Sequence, residues 1–399
     1  MTTRSAFQVS LLAVLTDEGA LLPAVIGGLL YSFFYPLPYL PQGVQHIPVI
    51  VADYDSSPLS RRYAHNLDAT REVAVVGVTR DVAAAAPLLQ RGEIGGIVAI
   101  PPRFAQDVAR GTPTGVTVMG NGAYLVVDGT TLETAEQVLA STAAPPLAAH
   151  LVQTGAPPAL VRRAASAGPL LIKQPMFNTT QGYQSYVVPA SMSLIVHQLL
   201  IIGIATVLGT WIERRRWPVA PEGKLTVGAF TGMLGAFTLL AWCATLFWIG
   251  FVFWFHDLPR GGNLGAAAMV GALYSVAIAA VAVCLGCLMA DRERPFQLIG
   301  ALSVPLLFLS GFAFPTEESI PRPLHWLSEA LPTTHGIRAM LKLNQMGASW
   351  HETATDIGRL LLVTCAYVGL AWWLAIRRTR ATETGHRQLT PLADSEAVA

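Results

Sequence analysis

The residues that could perform catalysis occur in this sequence only as incomplete motifs. His351 and Glu352 begin the stretch HETATD, but the second histidine that a helical zinc site requires four residues after the first is missing. Gly223-Lys224-Leu225 lacks both the leading glycine and the hydroxyl residue of a phosphate-binding loop. The GxSxG stretch of a serine hydrolase is also missing from the sequence. The sequence therefore predicts neither an enzymatic activity nor an ATP site of this kind.

One ionisable side chain, His197, lies next to Gln198 in an otherwise uncharged apolar run. Ionisable residues inside a membrane are costly and are often functional. The imidazole could face a transport pathway, or it could bind a neighbouring helix in its neutral form. The second interpretation is favoured because no other charge lies at that depth, and both residues are kept as pathway candidates. The CxxC pair of Cys284 and Cys287 has no second Cys or His pair nearby in sequence, so we predict neither a zinc nor a redox site there.

The elements that carry these residues are predicted to be membrane-spanning helices. Charged residues make up 13% of the 399 residues and apolar residues 52%, and the mean hydropathy is +0.47. A soluble chain could not keep so much apolar surface from water. Crossing the hydrocarbon core takes about 20 helical residues. Runs of this order without Asp, Glu, Lys or Arg occur at 19–52, 174–212, 225–255, 261–290, 295–316 and 360–376.

The basic residues predict the orientation of these spans. If six helices cross the membrane, all the basic clusters flanking them fall on one side, which the positive-inside rule identifies as the cytoplasm. Both termini are then cytoplasmic, and residues 41–185 and 315–359 lie outside. The clusters are Arg4, then Arg214, Arg215, Arg216 and Lys224, then Arg292 and Arg294, and finally Arg377, Arg378 and Arg380.

The long segment between the first two spans has the pattern of an α/β domain. Extended apolar runs alternate with helical stretches that carry start and stop signals. Ser57 before Pro58 and Asp81 are typical N-caps, and Gly92 and Gly111 are typical helix ends. The predicted strands are His46–Asp55, Glu72–Thr79, Ile94–Pro101 and Gly115–Gly122.

We therefore predict a polytopic α-helical membrane protein with six transmembrane helices, cytoplasmic N and C termini, and an α/β extracytoplasmic domain inserted between helices 1 and 2. The predicted boundaries are an interfacial amphipathic helix at 1–18, helix 1 at 19–40, the extracytoplasmic domain at 41–185, helix 2 at 186–212, a cytoplasmic loop at 213–224, helices 3–6 at 225–380, and a disordered tail at 381–399.

The segment that follows the fifth apolar run carries a family resemblance. FLSGFAFP at 308–315 is followed by IPRPLHWLSEALPTTHGIRA at 320–339. This pair resembles the ABC type-2 exporter permeases, in which FLSGxxFP precedes a P-x-x-L…LP-x-T-x-x-I-R segment. VIVADYDSSPLSRR at 49–62 and QPMFNTTQGYQSYVVPA at 174–190 fit the same family. The six spans with a large domain between the first two are similar to the subgroup of multidrug and hydrophobic-compound exporters.

The resemblance implies a permease subunit that moves an amphiphilic or hydrophobic compound out of the cytoplasm or inner leaflet. This chain would hold no cofactor, because ATP and magnesium would bind a separate ABC ATP-binding subunit. Further expected partners are a second copy or related permease, membrane lipids and, in some assemblies, a periplasmic adaptor protein. The expected location is the bacterial cytoplasmic (inner) membrane. A net charge of +1 and the lack of a basic, aromatic-rich patch predict no nucleic-acid partner.

The resemblance also implies two groups of site residues. A re-entrant segment at 315–340 would close the outer end of the pathway, although an ordinary external loop is the alternative. The basic loop at 213–224 would bind the ATPase, although its arginines could serve only to set topology. The outer-gate candidates are Ser310, Gly311, Phe314, Pro315, Pro332, Thr334, His335 and Arg338, and the coupling candidates are Glu213, Arg214, Arg215, Arg216, Arg292 and Arg294.

Two other function classes were weighed against the exporter. A membrane-anchored receptor acting through its external domain is the main alternative. An ion-coupled carrier ranks last, because such carriers normally need several intramembrane carboxylates and the six runs contain none.

Overall fold

The computed structural model describes residues 1–40, 43–112, 114–120, 124–165, 182–221, 223–260, 262–311 and 320–396. The chain divides into two compact units, one formed by residues 1–40 with 176–399 and the other by residues 41–175. The second unit lies within the segment 41–185 that the sequence assigns to an inserted extracytoplasmic domain, and the placement of that domain stays a prediction.

A short N-terminal helix precedes the first candidate span. Asp17 separates the two, because its extended backbone ends one helix and its carboxylate caps the next by accepting the N–H groups of Gly19 and Ala20. Within the span the regular hydrogen-bond ladder is interrupted near Pro23, which has no N–H to donate. The segments are α1 (Thr3–Thr16), α2 (Glu18–Leu21), a π-helical segment (Leu22–Gly27), α3 (Gly28–Phe34) and a 3-10 turn (Leu37–Tyr39).

The second unit contains a four-stranded sheet with strand order β2-β1-β3-β4. β1 lies parallel to both β2 and β3, whereas β4 pairs with β3 in the antiparallel direction. All four predicted strands are present. They are β1 (Ile47–Asp53), β2 (Val73–Thr79), β3 (Gly96–Ile100) and β4 (Thr117–Gly120).

Helices connect these strands and cover the sheet. The side chains of Ser57 and Asp81 accept backbone N–H groups at the starts of two of them, which confirms the predicted caps. Tyr63 is fully buried and donates to the Ala135 carbonyl at 2.9 Å, and burial raises the pKa of its phenol. The helices are α4 (Pro58–Asp68), α5 (Val82–Gln90), α6 (Phe104–Arg110), α7 (Leu125–Gln153) and α8 (Pro158–Ala165).

The remaining helices belong to the first unit. A Cβ placed on Gly203 would lie 2.6 Å from the Ala24 Cβ, so the absence of a side chain lets two spans approach closely. Ala6 in α1 is completely buried, and the Thr3 carbonyl lies against Gly232. The helices are α9 (Tyr183–Glu213), α10 (Val227–Phe247), a π-helical segment (Trp248–Val252), α11 (Phe253–Phe255), α12 (Leu264–Met289), α13 (Arg294–Leu309), α14 (Arg322–Glu329), α15 (Pro332–Asn344) and α16 (Trp350–Glu396).

Five helical stretches in the described part of the chain are long and apolar enough to cross a membrane, so the protein is a multi-pass membrane protein. They are Glu18–Tyr39, Gln184–Glu213, Val227–Phe255, Leu264–Met289 and Trp350–Ala381.

Two segments differ from the prediction. The fifth apolar run forms only a 16-residue helix, Arg294–Leu309, about 24 Å long, because the chain turns at Ser310 and at Gly311, whose φ is +73°. The last helix continues to Glu396, although the composition predicts a disordered tail from residue 381. The shorter fifth helix leaves the prediction of six spans untested.

Candidate functional site

Arg292 lies at the centre of a polar network at the end of the spans that the sequence assigns to the cytoplasmic side. Its guanidinium donates to both carboxylate oxygens of Asp17, at 2.9 and 3.1 Å, and approaches the Thr210 hydroxyl at 3.4 Å. Its backbone N–H donates to Glu213 Oε1 at 2.8 Å. A bidentate contact of this kind fixes the orientation of the two side chains in addition to pairing their charges. One residue therefore joins the start of the first span, the end of α9 and the loop between α12 and α13.

The loop that presents Arg292 is itself held by hydrogen bonds. The Asp291 carboxylate accepts the backbone N–H groups of Arg294, at 3.1 Å, and Glu293, at 2.7 Å. These bonds hold the pKa of the Asp291 carboxyl below its usual range. The Asp291 carbonyl also lies against Gly209, where a side chain would collide with it. The loop therefore packs directly on α9.

Three consecutive arginines follow α9 and differ from Arg292. Arg214, Arg215 and Arg216 are exposed, and within the described ranges their guanidinium groups make no hydrogen bond or ion pair. Arg215 has a φ of +50°, which ends the helix and turns the chain. Arg294 makes a more exposed contact with Asp291 at 3.3 Å.

Two cavities adjoin this network. The first, which we call the cytoplasmic cavity, has a volume of about 500 Å³ and is lined by Asp17, Glu18, Trp211, Arg214, Arg216 and Arg292, among others. The second, which we call the apolar groove, has a volume of about 520 Å³ and lies between the first span, α9 and α13. Its walls include Leu22, Pro23, Leu30, Leu199, Ile202 and Phe296. Arg292 lines both, so the two cavities meet at this residue.

His197 is buried among three helices. Its Nε2 lies 3.0 Å from the Thr245 hydroxyl, and its ring meets the Tyr274 ring edge-on at 4.4 Å. The Thr245 hydroxyl donates to the Ala241 carbonyl at 2.8 Å, so it accepts from His197, and we assign the proton of the neutral imidazole to Nε2. The adjacent cavity holds only about 20 Å³, enough for one water molecule.

Gln198, the second pathway candidate, contacts a different helix. Its Oε1 accepts a hydrogen bond from the Ser303 hydroxyl at 3.2 Å, which ties α9 to α13. In this conformation His197 and Gln198 both bind neighbouring helices, which agrees with the structural interpretation favoured for His197. Their role in transport stays a prediction.

The outer-gate candidates within the described residues cluster around the end of α13 and the start of α15. The Thr334 and Ser328 hydroxyls both donate to the Leu309 carbonyl, at 3.2 and 2.6 Å. Ser310 turns inward and donates to the Leu307 carbonyl at 2.6 Å. These bonds hold α13, α14 and α15 together. Phe314 and Pro315 lie outside the described residues, and Pro332 begins α15.

A carboxylate holds this outer cluster together. Glu329 accepts Arg338 at 3.2 Å and Arg359 at 2.9 Å, while its carbonyl lies 2.8 Å from His335 Nε2. His335 is completely buried. Gly336 rests on the Tyr274 ring, since a Cβ there would lie 2.5 Å from the ring. α15 is thus fixed both to α16 and to α12.

Sequence reasoning missed the partners of these candidates. Asp17, Glu329 and Arg359 complete the two ionic clusters, and Tyr274 contacts both His197 and Gly336. Asp17 had a weak signal, because it ends an apolar stretch beside a second acid. Its partner lies 275 residues away, and nothing in the sequence points to that pairing.

Within the described part of the chain, no three His, Cys, Asp or Glu side chains lie where they could share a metal ion.

Comparison with known families identifies the family of this chain. The family model described as ABC-2 family transporter protein matches residues 20–373. This range includes most of the first and last candidate spans, all of the other three, the arginines after α9 and the outer cluster around Glu329. None of the curated protein sequences is significantly similar to the chain.

Proposed function

Because the chain belongs to the ABC-2 family of transporter permeases, we propose that it is the membrane-spanning subunit of an ATP-driven exporter. The family match over residues 20–373 carries this proposal, and the five candidate spans support it. The sequence has no glycine-rich phosphate loop. A separate ABC ATP-binding subunit would therefore bind ATP and magnesium and drive the permease between inward- and outward-facing states.

The proposed substrate is an amphiphilic or hydrophobic compound taken from the cytoplasm or the inner leaflet. The void beside His197, at about 20 Å³, is far too small for such a molecule, so its passage requires the helices to move. We place the pathway between this chain and a second copy or related permease. Apolar side chains suited to such a contact are available, since Val304 and Phe308 on α13 are 61% and 45% exposed.

The proposed topology follows the positive-inside rule, with six spans, cytoplasmic termini and the bacterial inner membrane as the location. The five long helical stretches would supply five of these spans, and α13, the fifth apolar run along the chain, would supply the remaining one. Because α13 is only 16 residues long, it would be the shortest of the six spans. The unit at 41–175 would then lie outside and could bind an adaptor protein.

The surface proposed for ATPase binding is centred on the exposed residues near Arg292. Arg215 and Arg294 both have exposed, positively charged side chains, and 65% of the Arg294 side chain is exposed. The backbone N–H of Arg292 donates a hydrogen bond to the Glu213 carboxylate, which holds this surface in shape. The charge of this surface suits acidic groups on the partner.

Purification of the tagged chain from its native membrane in mild detergent, followed by mass spectrometry, tests the proposal. We expect a stoichiometric ATP-binding subunit, and a co-purified related permease would identify a heterodimer. Arg215→Glu should reduce recovery of the ATPase, whereas Arg91→Glu, a matched change in the separate unit at 41–175, should not. Transport by the purified chain without any ATPase would contradict the proposal. Recovery of the chain alone under several detergents, with ATP present, would also contradict it and would favour a receptor.

A further inference from the structure

The cytoplasmic cavity has an unbalanced positive charge. Its lining contains three arginines, Arg214, Arg216 and Arg292, and two acids, Asp17 and Glu18, which leaves a formal charge of +1. Asp17 already neutralises Arg292 through the two-pronged ion pair. Glu18 offsets one of the remaining charges, so the net +1 belongs to Arg214 and Arg216, whose guanidinium groups have no ion pair among the described residues. Glu293 lines the adjoining apolar groove and not this cavity. The cavity therefore suits a single anionic group.

The apolar groove that meets this cavity at Arg292 is open to its surroundings. Leu22, Leu30 and Phe296 in its walls are 61%, 51% and 64% exposed. The first span forms one wall of the groove, and only 22% of its most apolar part is buried. Exposed aliphatic and aromatic side chains on candidate membrane spans suit an acyl chain.

From this juxtaposition we propose that the cytoplasmic cavity and the apolar groove together bind one anionic phospholipid. The phosphate lies between Arg214 and Arg216, and an acyl chain lies along Leu22, Leu30 and Phe296. Trp211 also lines the cavity, is 6% exposed and packs edge-on against Trp217 with ring centroids 5.8 Å apart. The lipid would rest on the Arg292–Asp17 pair and fix the first span against α9.

Charge complementarity selects this occupant over a zwitterionic lipid. Anionic lipids are enriched in many cytoplasmic leaflets, and each arginine near such a surface contributes about fivefold in affinity. A cavity of about 500 Å³ also lies within the usual range of small-molecule sites, about 300–1,000 Å³. The inference does not depend on the exporter role, since lipid binding is measured without an ATPase or a transported substrate.

Native mass spectrometry of the full chain with defined lipids tests the headgroup site. Dioleoyl phosphatidylglycerol should bind more tightly than dioleoyl phosphatidylcholine. Arg214→Gln with Arg216→Gln should lower the affinity for phosphatidylglycerol about 25-fold, from two factors of about five. Arg215→Gln with Arg294→Gln is the matched control, because it removes the same two charges from exposed neighbours that do not line the cavity. Equal binding of the two lipids, or equal losses in the double variant and the control, would overturn the proposal.

A second arm tests the groove and separates a lipid from a free anion. Leu30→Trp adds bulk at an exposed groove position. It should weaken the binding of phosphatidylglycerol without creating a preference for phosphatidylcholine. Glycerol phosphate, which has the headgroup chemistry without acyl chains, should compete poorly. Strong competition by glycerol phosphate would show a soluble-anion site instead. Efficient disulfide formation between copies of Leu30→Cys in native membranes would show that a second chain covers the groove, and would also overturn the proposal.

Discussion

The ion pair between Arg292 and Asp17 should contribute measurably to stability, and the structure sets its magnitude. The contact has two N–H···O bonds at 2.9 and 3.1 Å, and the two side chains are 35% and 17% exposed. Fully exposed pairs contribute about 0.2–1 kcal/mol, and removing one partner of a buried pair costs about 3–5 kcal/mol. Solvent screening of the partly exposed guanidinium places this pair between those limits, so we expect a coupling energy of about 1–2 kcal/mol.

A double-mutant cycle measures this coupling. Asp17→Asn, Arg292→Gln and the combined variant would be compared with the parent by SDS titration with a check on refolding, reading the free energy of unfolding from circular dichroism. Arg294→Gln is a control, because its own pair is 65% exposed on the arginine side and should change stability by less than about 0.5 kcal/mol. Gly19→Ala should mimic part of the loss without removing charge, since its Cβ would lie 2.7 Å from Arg292 Nη2. A coupling energy within about 0.3 kcal/mol of zero would refute the reasoning.

Two further predictions concern the helix contacts around Tyr274. Gly336→Ala should destabilise the protein by about 1–3 kcal/mol, because the new Cβ would lie 2.5 Å from the Tyr274 ring. Gly358→Ala, with open space around it, is the control and should be neutral or stabilising by up to about 1 kcal/mol. Equal melting temperatures for the two variants would contradict the close contact. His197→Leu should lower stability by about 1 kcal/mol through the lost bond to Thr245, whereas His197→Gln, which can donate to the same hydroxyl, should lose less; a larger loss for the glutamine variant in thermal unfolding would argue against this bond.

The spans and the sheet were predictable from sequence because their signals are local. A charge-free run such as 264–289 has one stable arrangement in a membrane, and the caps at Ser57 and Asp81 fix where helices begin. The fifth run misled because its apolar composition continues past Ser310 and Gly311, where the backbone turns. Composition measures hydropathy over a window, whereas a single glycine at positive φ decides where the helix ends.

The site was predictable only in its individual residues. Arg292 was selected because basic residues near span ends face the cytoplasm, yet its principal contact is with Asp17, which no local pattern connects to it. Glu329 lies inside the segment that carries the family resemblance, but its role as the common acceptor for Arg338 and Arg359 depends on how α14, α15 and α16 pack. Pairings of this kind arise from tertiary structure, and a single sequence does not encode them locally.

One helix connects the two clusters. α12 ends at Met289, three residues before Arg292, and Tyr274 near its middle contacts Gly336 in the outer cluster. The fifteen helical steps from Tyr274 to Met289 span about 22 Å as a regular helix, and α12 contains no proline to bend it. We predict that a displacement of the Arg292 loop moves α12 as one element and reaches α15 through the contact of Tyr274 with Gly336. A double-mutant cycle between the two clusters measures this coupling, which the contact alone does not establish.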